Sequence, residues 1–176
     1  MPVDASRISF RPVVHADLPI LRGWMEQPHW REWWGEPKDE CAMIRDMVER
    51  RDTTKPFIFR IDGRDCGYIQ VWFVADQMIE PWITKAPWMA ALSQGTVGVD
   101  LSVGDGEDLS KGYSTAARTG FGAMLRAQGH RTIIIDPDPE NARAVACYRK
   151  AGFAPIPELE GRTGDVLLMR LEADLR

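Results

Sequence analysis

The sequence predicts a single α/β domain, residues 1–176, with a mixed central sheet of six to seven strands and helices on both faces. Three observations carry that expectation. The chain has 176 residues, 44% of them hydrophobic, enough to close one sizeable core and too short for two ordinary enzyme domains. Runs in which apolar residues alternate are interleaved with runs in which they recur every three to four positions, the signatures of strands and amphipathic helices. Turns rich in Gly and Pro separate these runs, and no repeat, low-complexity segment or linker divides the chain. The expected order is strand, two helices, three strands, helix, strand, helix, strand, which suits a sheet covered on both sides.

From Arg7 to Val13, Ile8 and Phe10 roughly alternate with polar residues, a first strand closed near Pro12. Leu18, Leu21, Trp24 and Met25 fall at helical spacing, with Asp17 available as N-cap. Pro28 to Pro37 reads as aromatic and irregular, and a second helix is expected from Asp39 to Arg50 through Cys41, Ile44, Met47 and Val48. Pro56 to Ile61 and Cys66 to Val74 flank Asp62-Gly63-Arg64-Asp65, the pattern of an antiparallel hairpin. Ala75 to Gly95, with Pro81, Pro87, Trp82 and Trp88, reads as a long connection, and long ordered loops are often functional. Thr96 to Val103 is a strand, followed by a helix from Lys111 to Gln128 that Gly129 stops. Thr132 to Ile135 is short and apolar enough to be a buried strand. Asp138-Pro139 is expected to cap a helix that runs to Lys150, and Val166 to Leu171 reads as the last strand.

Composition excludes several function classes. A charged fraction of 27% and a formal charge of −4 lack the basic excess of a nucleic-acid binder. The acidic balance suits a cationic substrate. Cys41, Cys66 and Cys147 have neither zinc-site nor redox spacing, so no metal is expected and a reducing cytoplasm fits best. The N-terminus lacks a signal-like apolar run, and no segment is long enough to span a bilayer. A monomer or a homodimer is expected.

The first chemical signal is Gly98-Val99-Asp100-Leu101-Ser102-Val103, a turn, and then Ser110-Lys111-Gly112-Tyr113-Ser114-Thr115 opening a helix. A helix start directs unpaired N–H groups and a positive dipole end outward, and Gly112 and Ser114 are small enough for a diphosphate to approach. Lys111 and the hydroxyls of Ser114 and Thr115 can add contacts. Alone, the segment is equally well a plain helix start after a tight loop. The second signal is Asp136-Pro137-Asp138-Pro139-Glu140-Asn141, continuing through Cys147-Tyr148-Arg149-Lys150-Ala151-Gly152-Phe153.

Together the two segments resemble the GNAT superfamily of N-acetyltransferases, and within it the aminoglycoside 6′-N-acetyltransferases. The resemblance covers nearly the whole chain, from Phe10-Arg11-Pro12 and Asp17-Leu18 through Glu32-Trp33-Trp34-Gly35 to Asn141 and Phe153. It implies a GNAT fold with splayed fourth and fifth strands, and acetyl-CoA as donor with CoA as product. The main chain of Leu101, Ser102 and Val103 would hold the pantetheine arm, and Ser110 to Thr115, Tyr113 included, the diphosphate. Asn141 and Tyr148, seven positions apart, would share a helix face, with Asn141 bonding a pantetheine amide and Tyr148 protonating the departing thiolate. Tyr148 is otherwise a buried aromatic closing the helix on the sheet. Cys147 reads as a small packed residue.

Asp100 and Asp136 match acidic positions of the aminoglycoside enzymes, and either can orient the acceptor ammonium and take its proton. Asp100 is favoured. An unperturbed Asp titrates near ~3.9, so this role requires a raised value, a relaying water or electrostatic positioning. Asp136 is otherwise a turn residue before Pro137, and Asp100 a surface carboxylate at a strand edge. Trp33, Trp34, Tyr68, Trp72, Trp82 and Trp88 would line the acceptor pocket, since aromatic faces attract cations and pack on sugar rings, although core packing is their commoner use. Where the aminoglycoside enzymes carry acids after a paired aromatic, this chain has Met89-Ala90-Ala91-Leu92-Ser93. The first expectation is acetylation of a primary amine on an aminoglycoside or amino sugar, hence antibiotic resistance. The alternatives are a siderophore-type hydroxylysine acyltransferase, with His29 as its pocket histidine, acetylation of protein N-termini, and an acyl-CoA-binding sensor without turnover.

Overall fold

A computed structural model describes residues 3–172. Strands β1 (Ile8–Pro12), β2 (Lys55–Ile61), β3 (Arg64–Phe73), β4 (Val97–Val103), β5 (Ile133–Ile135), β6 (Phe153–Pro155) and β7 (Met169–Leu171) form one mixed sheet in the order β1-β2-β3-β4-β5-β7-β6. The helices are α1 (Leu18–Met25), α2 (Pro28–Trp33), α3 (Pro37–Val48), α4 (Trp82–Lys85), α5 (Tyr113–Ala127) and α6 (Ala142–Lys150). The expected α/β fold is therefore present. Among the described residues, no helix is long and apolar enough to cross a membrane.

The chain groups into two compact units, Met1–Val71 with Asp100–Gly120, and Trp72–Val99 with Phe121–Arg176. In the first, β1 pairs antiparallel with β2, from Ile8↔Ile61 to Pro12↔Phe57, and β2 with β3 across the expected hairpin. Asp62 and Gly63 both have positive φ, 50° and 79°, which matches the right-handed twist of a two-residue hairpin. α1 and α3 bury Leu21, Trp24, Met25, Cys41 and Ile44 in one core with Trp30, Ile58 and Tyr68.

Two expectations in this unit are corrected. Asp17 does not cap α1 through its side chain; its carboxylate accepts from Arg11 at 2.7 and 2.9 Å and from the Val14 N–H at 2.8 Å. The aromatic stretch after Pro28 is helical rather than irregular, because the proline sits in the first turn, where its missing N–H costs nothing, and Trp30 anchors the turn in the core.

In the second unit, β5 pairs parallel with β4 over Val97↔Ile133 and Gly98↔Ile134. β5 also pairs antiparallel with β7, and β7 with β6. The parallel ladder is two residue pairs long although β4 continues to Val103, in keeping with the expected splay. The connection from Ala75 is built from 3-10 turns at Val74–Gln77 and Pro87–Ala91 around α4. Its inner residues Trp88 and Met89 pack with Val74, Ile134, Ile156, Leu159 and Leu168. The helix expected to start at Asp138-Pro139 starts instead at Ala142: Asp138 accepts the Glu140 N–H at 2.8 Å in a separate turn, and Asn141 is the cap. β6 was not expected, since three residues ending in Pro155 carry no strand period.

Candidate active site

Asp100 lies midway along β4, half-buried between buried Val99 and Leu101. Gln70 Nε2 donates to Asp100 Oδ2 at 2.8 Å, and Gln70 Oε1 accepts from the Tyr68 hydroxyl at 2.6 Å. With a bond at each end, the amide has one orientation, and it steers the carboxylate without neutralising its charge. Tyr68 is fully buried. Burial first, then the charges of Asp100, Glu40 and Asp52, holds its phenol well above the ordinary range, so it stays a donor.

Beside this relay stands an aromatic group. Trp34 is 5.1 Å from Trp30 and 5.9 Å from Tyr68 between ring centroids, the latter edge-on, and Trp30 is 6.1 Å from Tyr68. Trp33 and Trp34 are half-buried while Trp30 is fully buried. Glu40 on α3 belongs to the same surroundings: desolvation and then the Asp100 charge raise its carboxyl above the usual value. Sequence reasoning missed Trp30, Gln70 and Glu40. Their signals were present, because Gln70 follows Tyr68 at the strand period of two, and Glu40 shares a helix stripe with Pro37, Cys41 and Ile44.

The start of α5 carries another group of residues singled out by the sequence. Ser110 and Gly112 take positive φ, 64° and 81°, and alternation of this kind makes a concavity of N–H groups. A Cβ placed on Gly112 would meet no atom within 4 Å, so open space adjoins the loop. Asp108, with 5% of its side chain exposed, braces the loop from within. It accepts from Arg64 at 2.8 and 3.0 Å and from Lys111 at 3.0 Å. Lys111 is thus tied to Asp108 as well as standing at the helix start. Tyr113, Ser114 and Thr115 are half-buried in the first turn. The residues fit a diphosphate: a glycine and the hydroxyls of Ser110, Ser114 and Thr115 at the start of a fifteen-residue helix, whose first N–H groups have no partner within the helix. Leu101, Ser102 and Val103 are buried, and His29 Nε2 lies 2.8 Å from the Val103 carbonyl oxygen.

In the second unit, Asn141 caps α6: its side-chain oxygen accepts the Ala144 N–H at 3.1 Å, which leaves its NH2 to donate elsewhere. Because Asn141 stands before the helix with a ψ of 67°, its direction follows the cap rather than the helical period. Tyr148 is 8% exposed and edge-on to Phe153 at 6.4 Å. Asp136 is half-buried just past β5, and Leu167 N–H donates to the neighbouring Pro137 carbonyl at 2.8 Å. The Trp72 indole lies directly on Gly98, where a Cβ would collide with it. Trp88 is a core residue at 7% exposure, whereas Trp82 is 41% exposed with Lys85 Nζ 5.4 Å above its ring. The structure therefore brings Trp34, Tyr68 and Asp100 together, puts Trp88 in the core and leaves Trp82 at the surface.

A family model described as an acetyltransferase (GNAT) domain matches residues 13–160. An aminoglycoside N(6′)-acetyltransferase type 1 from Klebsiella pneumoniae is 29% identical over 153 residues, covering 83% of this chain and 73% of the relative. A lysine N-acyltransferase, MbtK, from Mycobacterium sp. is 24% identical over 163 residues, 90% of this chain and 64% of the relative. Among solved structures, an aminoglycoside acetyltransferase in complex with coenzyme A and kanamycin superposes with a TM-score of 0.77 at 25% identity, over 93% of each chain.

Proposed function

The chain belongs to the GNAT acetyltransferase family, whose reaction depends on acetyl-CoA, and from that premise we propose that its acceptor is a primary amine on a small cationic molecule. The first candidate is the 6′-amino group of an aminoglycoside, or the amine of a related amino sugar. The observation that carries the acceptor class is Asp100, a half-buried carboxylate aimed by Gln70 beside the rings of Trp34 and Tyr68. A charged amine gains from the carboxylate, and a sugar ring gains from the half-buried Trp34, Tyr68 being fully buried behind it.

Acetyl-CoA supplies an activated acetyl thioester, so no covalent enzyme intermediate is needed. The N–H groups from Ser110 to Thr115 hold its diphosphate, and the main chain of Leu101 to Val103 holds the pantetheine arm, one N–H donating to the carbonyl oxygen as charge develops there. The Asn141 amide donates to the arm while its oxygen caps α6. Asp100 receives the acceptor ammonium, orients it and takes its proton, directly or through water, with Asp136 as a secondary carboxylate. Tyr148 donates its phenolic proton to the thiolate that leaves. Trp33 and Trp34 form the acceptor walls, with Tyr68 acting through Gln70. The family match runs through both compact units, which supports one catalytic domain.

A second reading, acylation of a lysine-type amine, is favoured by the likeness to the lysine N-acyltransferase over 90% of this chain. Thiol release from acetyl-CoA, measured with kanamycin, glucosamine, spermidine and hydroxylysine, decides between them. The expected result is release with the amino sugars; release with hydroxylysine alone selects the second reading. Binding of CoA without release on any amine would make the protein an acyl-CoA sensor. If neither acetyl-CoA nor CoA raised thermal stability, the donor assignment would fail. Turnover of kanamycin would support a resistance role in a cytoplasmic enzyme.

A further inference from the structure

Glu40 occupies the first turn of α3, on the same stripe as buried Pro37, Cys41 and Ile44. Its carboxylate rests on Gly35: a Cβ built there would stand 2.6 Å from Glu40 Oε1, and the Gly35 N–H favours its ionised form. The missing side chain at 35 is what allows this position. Gly35 directly follows Trp34, whose ring is 5.9 Å from Tyr68, and Tyr68 leads through Gln70 to Asp100. Of the charges acting on Glu40, that of Asp100, remote in the chain, outweighs that of Asp39 beside it. Burial and both acids work against the ionised form, with the Gly35 N–H in its favour. Such a carboxylate is relieved when a cation arrives, and two of them are relieved most by a molecule carrying two cations.

We propose that Glu40 is a specificity-determining residue of the acceptor site, receiving an ammonium other than the one Asp100 takes and so favouring acceptors with several amines over those with one. This rests on the reading of Asp100 as the acceptor carboxylate. Gly35 is the positioning residue of Glu40.

The test compares kcat/KM for kanamycin, which has several amines, with that for glucosamine, which has one, in the wild type, E40Q and G35A. E40Q is expected to lower the kanamycin value about tenfold or more, while glucosamine and the KM for acetyl-CoA change by less than about twofold. G35A keeps the charge and displaces the carboxylate, so its kanamycin value shifts in the same direction. An unchanged kanamycin-to-glucosamine ratio in E40Q overturns the proposal, and an unchanged ratio in G35A alone removes Gly35 from it. Should the wild type release no thiol with either amine, the amino-sugar reading fails on its own. Calorimetric titration with kanamycin then tests Glu40: about tenfold weaker binding in E40Q supports it, while equal affinity, or no binding by the wild type, overturns it.

Discussion

Tyr148 carries two duties that a single substitution separates. Its ring is buried against Phe153 at 6.4 Å, and its hydroxyl is the proposed donor to the leaving thiolate. Tyr148→Phe keeps the ring and removes the proton, so steady-state kinetics should show kcat falling about a hundredfold or more while the KM for acetyl-CoA moves by less than about twofold. An unchanged kcat, with acetyl transfer shown to be rate-limiting, would leave Tyr148 as packing. At this scale the sequence was legible wherever a residue's neighbours in the chain define its chemistry, as for the Ser110 to Thr115 loop. For Gln70 and Glu40 the local pattern marked a strand face and a helix stripe but not a role, because Asp100, thirty positions beyond Gln70, is brought up by the fold. Lys111 stands between: its place at the helix start is local, whereas its bond to Asp108 at 3.0 Å needed the buried carboxylate that also binds Arg64.

Among the elements, α6 is where cap and ligand contact meet in one side chain. Asn141 accepts the Ala144 N–H with its oxygen, and its NH2 is the proposed pantetheine donor. Asn141→Ala loses both, so denaturation should show about 1 kcal/mol of lost stability together with a raised KM for acetyl-CoA. Asn141→Ser keeps a capping oxygen and lacks the amide; its stability should stay within about 0.5 kcal/mol of wild type while the KM still rises. A KM that returned to wild type in Asn141→Ser would assign the residue to the helix alone. The long periodic helices and the β2–β3 hairpin were legible, since apolar spacing and the Asp62-Gly63 turn are local properties. The start of α6 was read three residues early, at Pro139, because Asp138 forms its own turn with Glu140. Short β6 was unreadable, being a strand only by virtue of its pairing with β7.

For the molecule as a whole, carboxylates with opposite environments set the response to acid. Hydrogen bonds from Arg11 hold Asp17, and those from Arg64 hold Asp108, below the ordinary value near 3.8. Their stabilisation is complete above that value and is lost as pH falls through their lower folded values. Glu40 is raised above 4.5, chiefly by desolvation, so it costs stability above its folded value, and the cost fades as pH falls toward 4.5. Thermal melts across pH should therefore show a small gain on acidification to just above 4.5 and a loss below 3.8. E40Q should remove the gain and keep the loss. By itself the sequence determined the α/β class, most of the elements and the family, because apolar period, turn chemistry and the loop before α5 are written in contiguous residues. The tertiary structure alone decided which side chains share an environment: that Trp88 is core and Trp82 is surface, that Trp72 lies on Gly98, and that Gln70 bonds Asp100. Those outcomes depend on packing between segments distant in the chain, which no local pattern encodes.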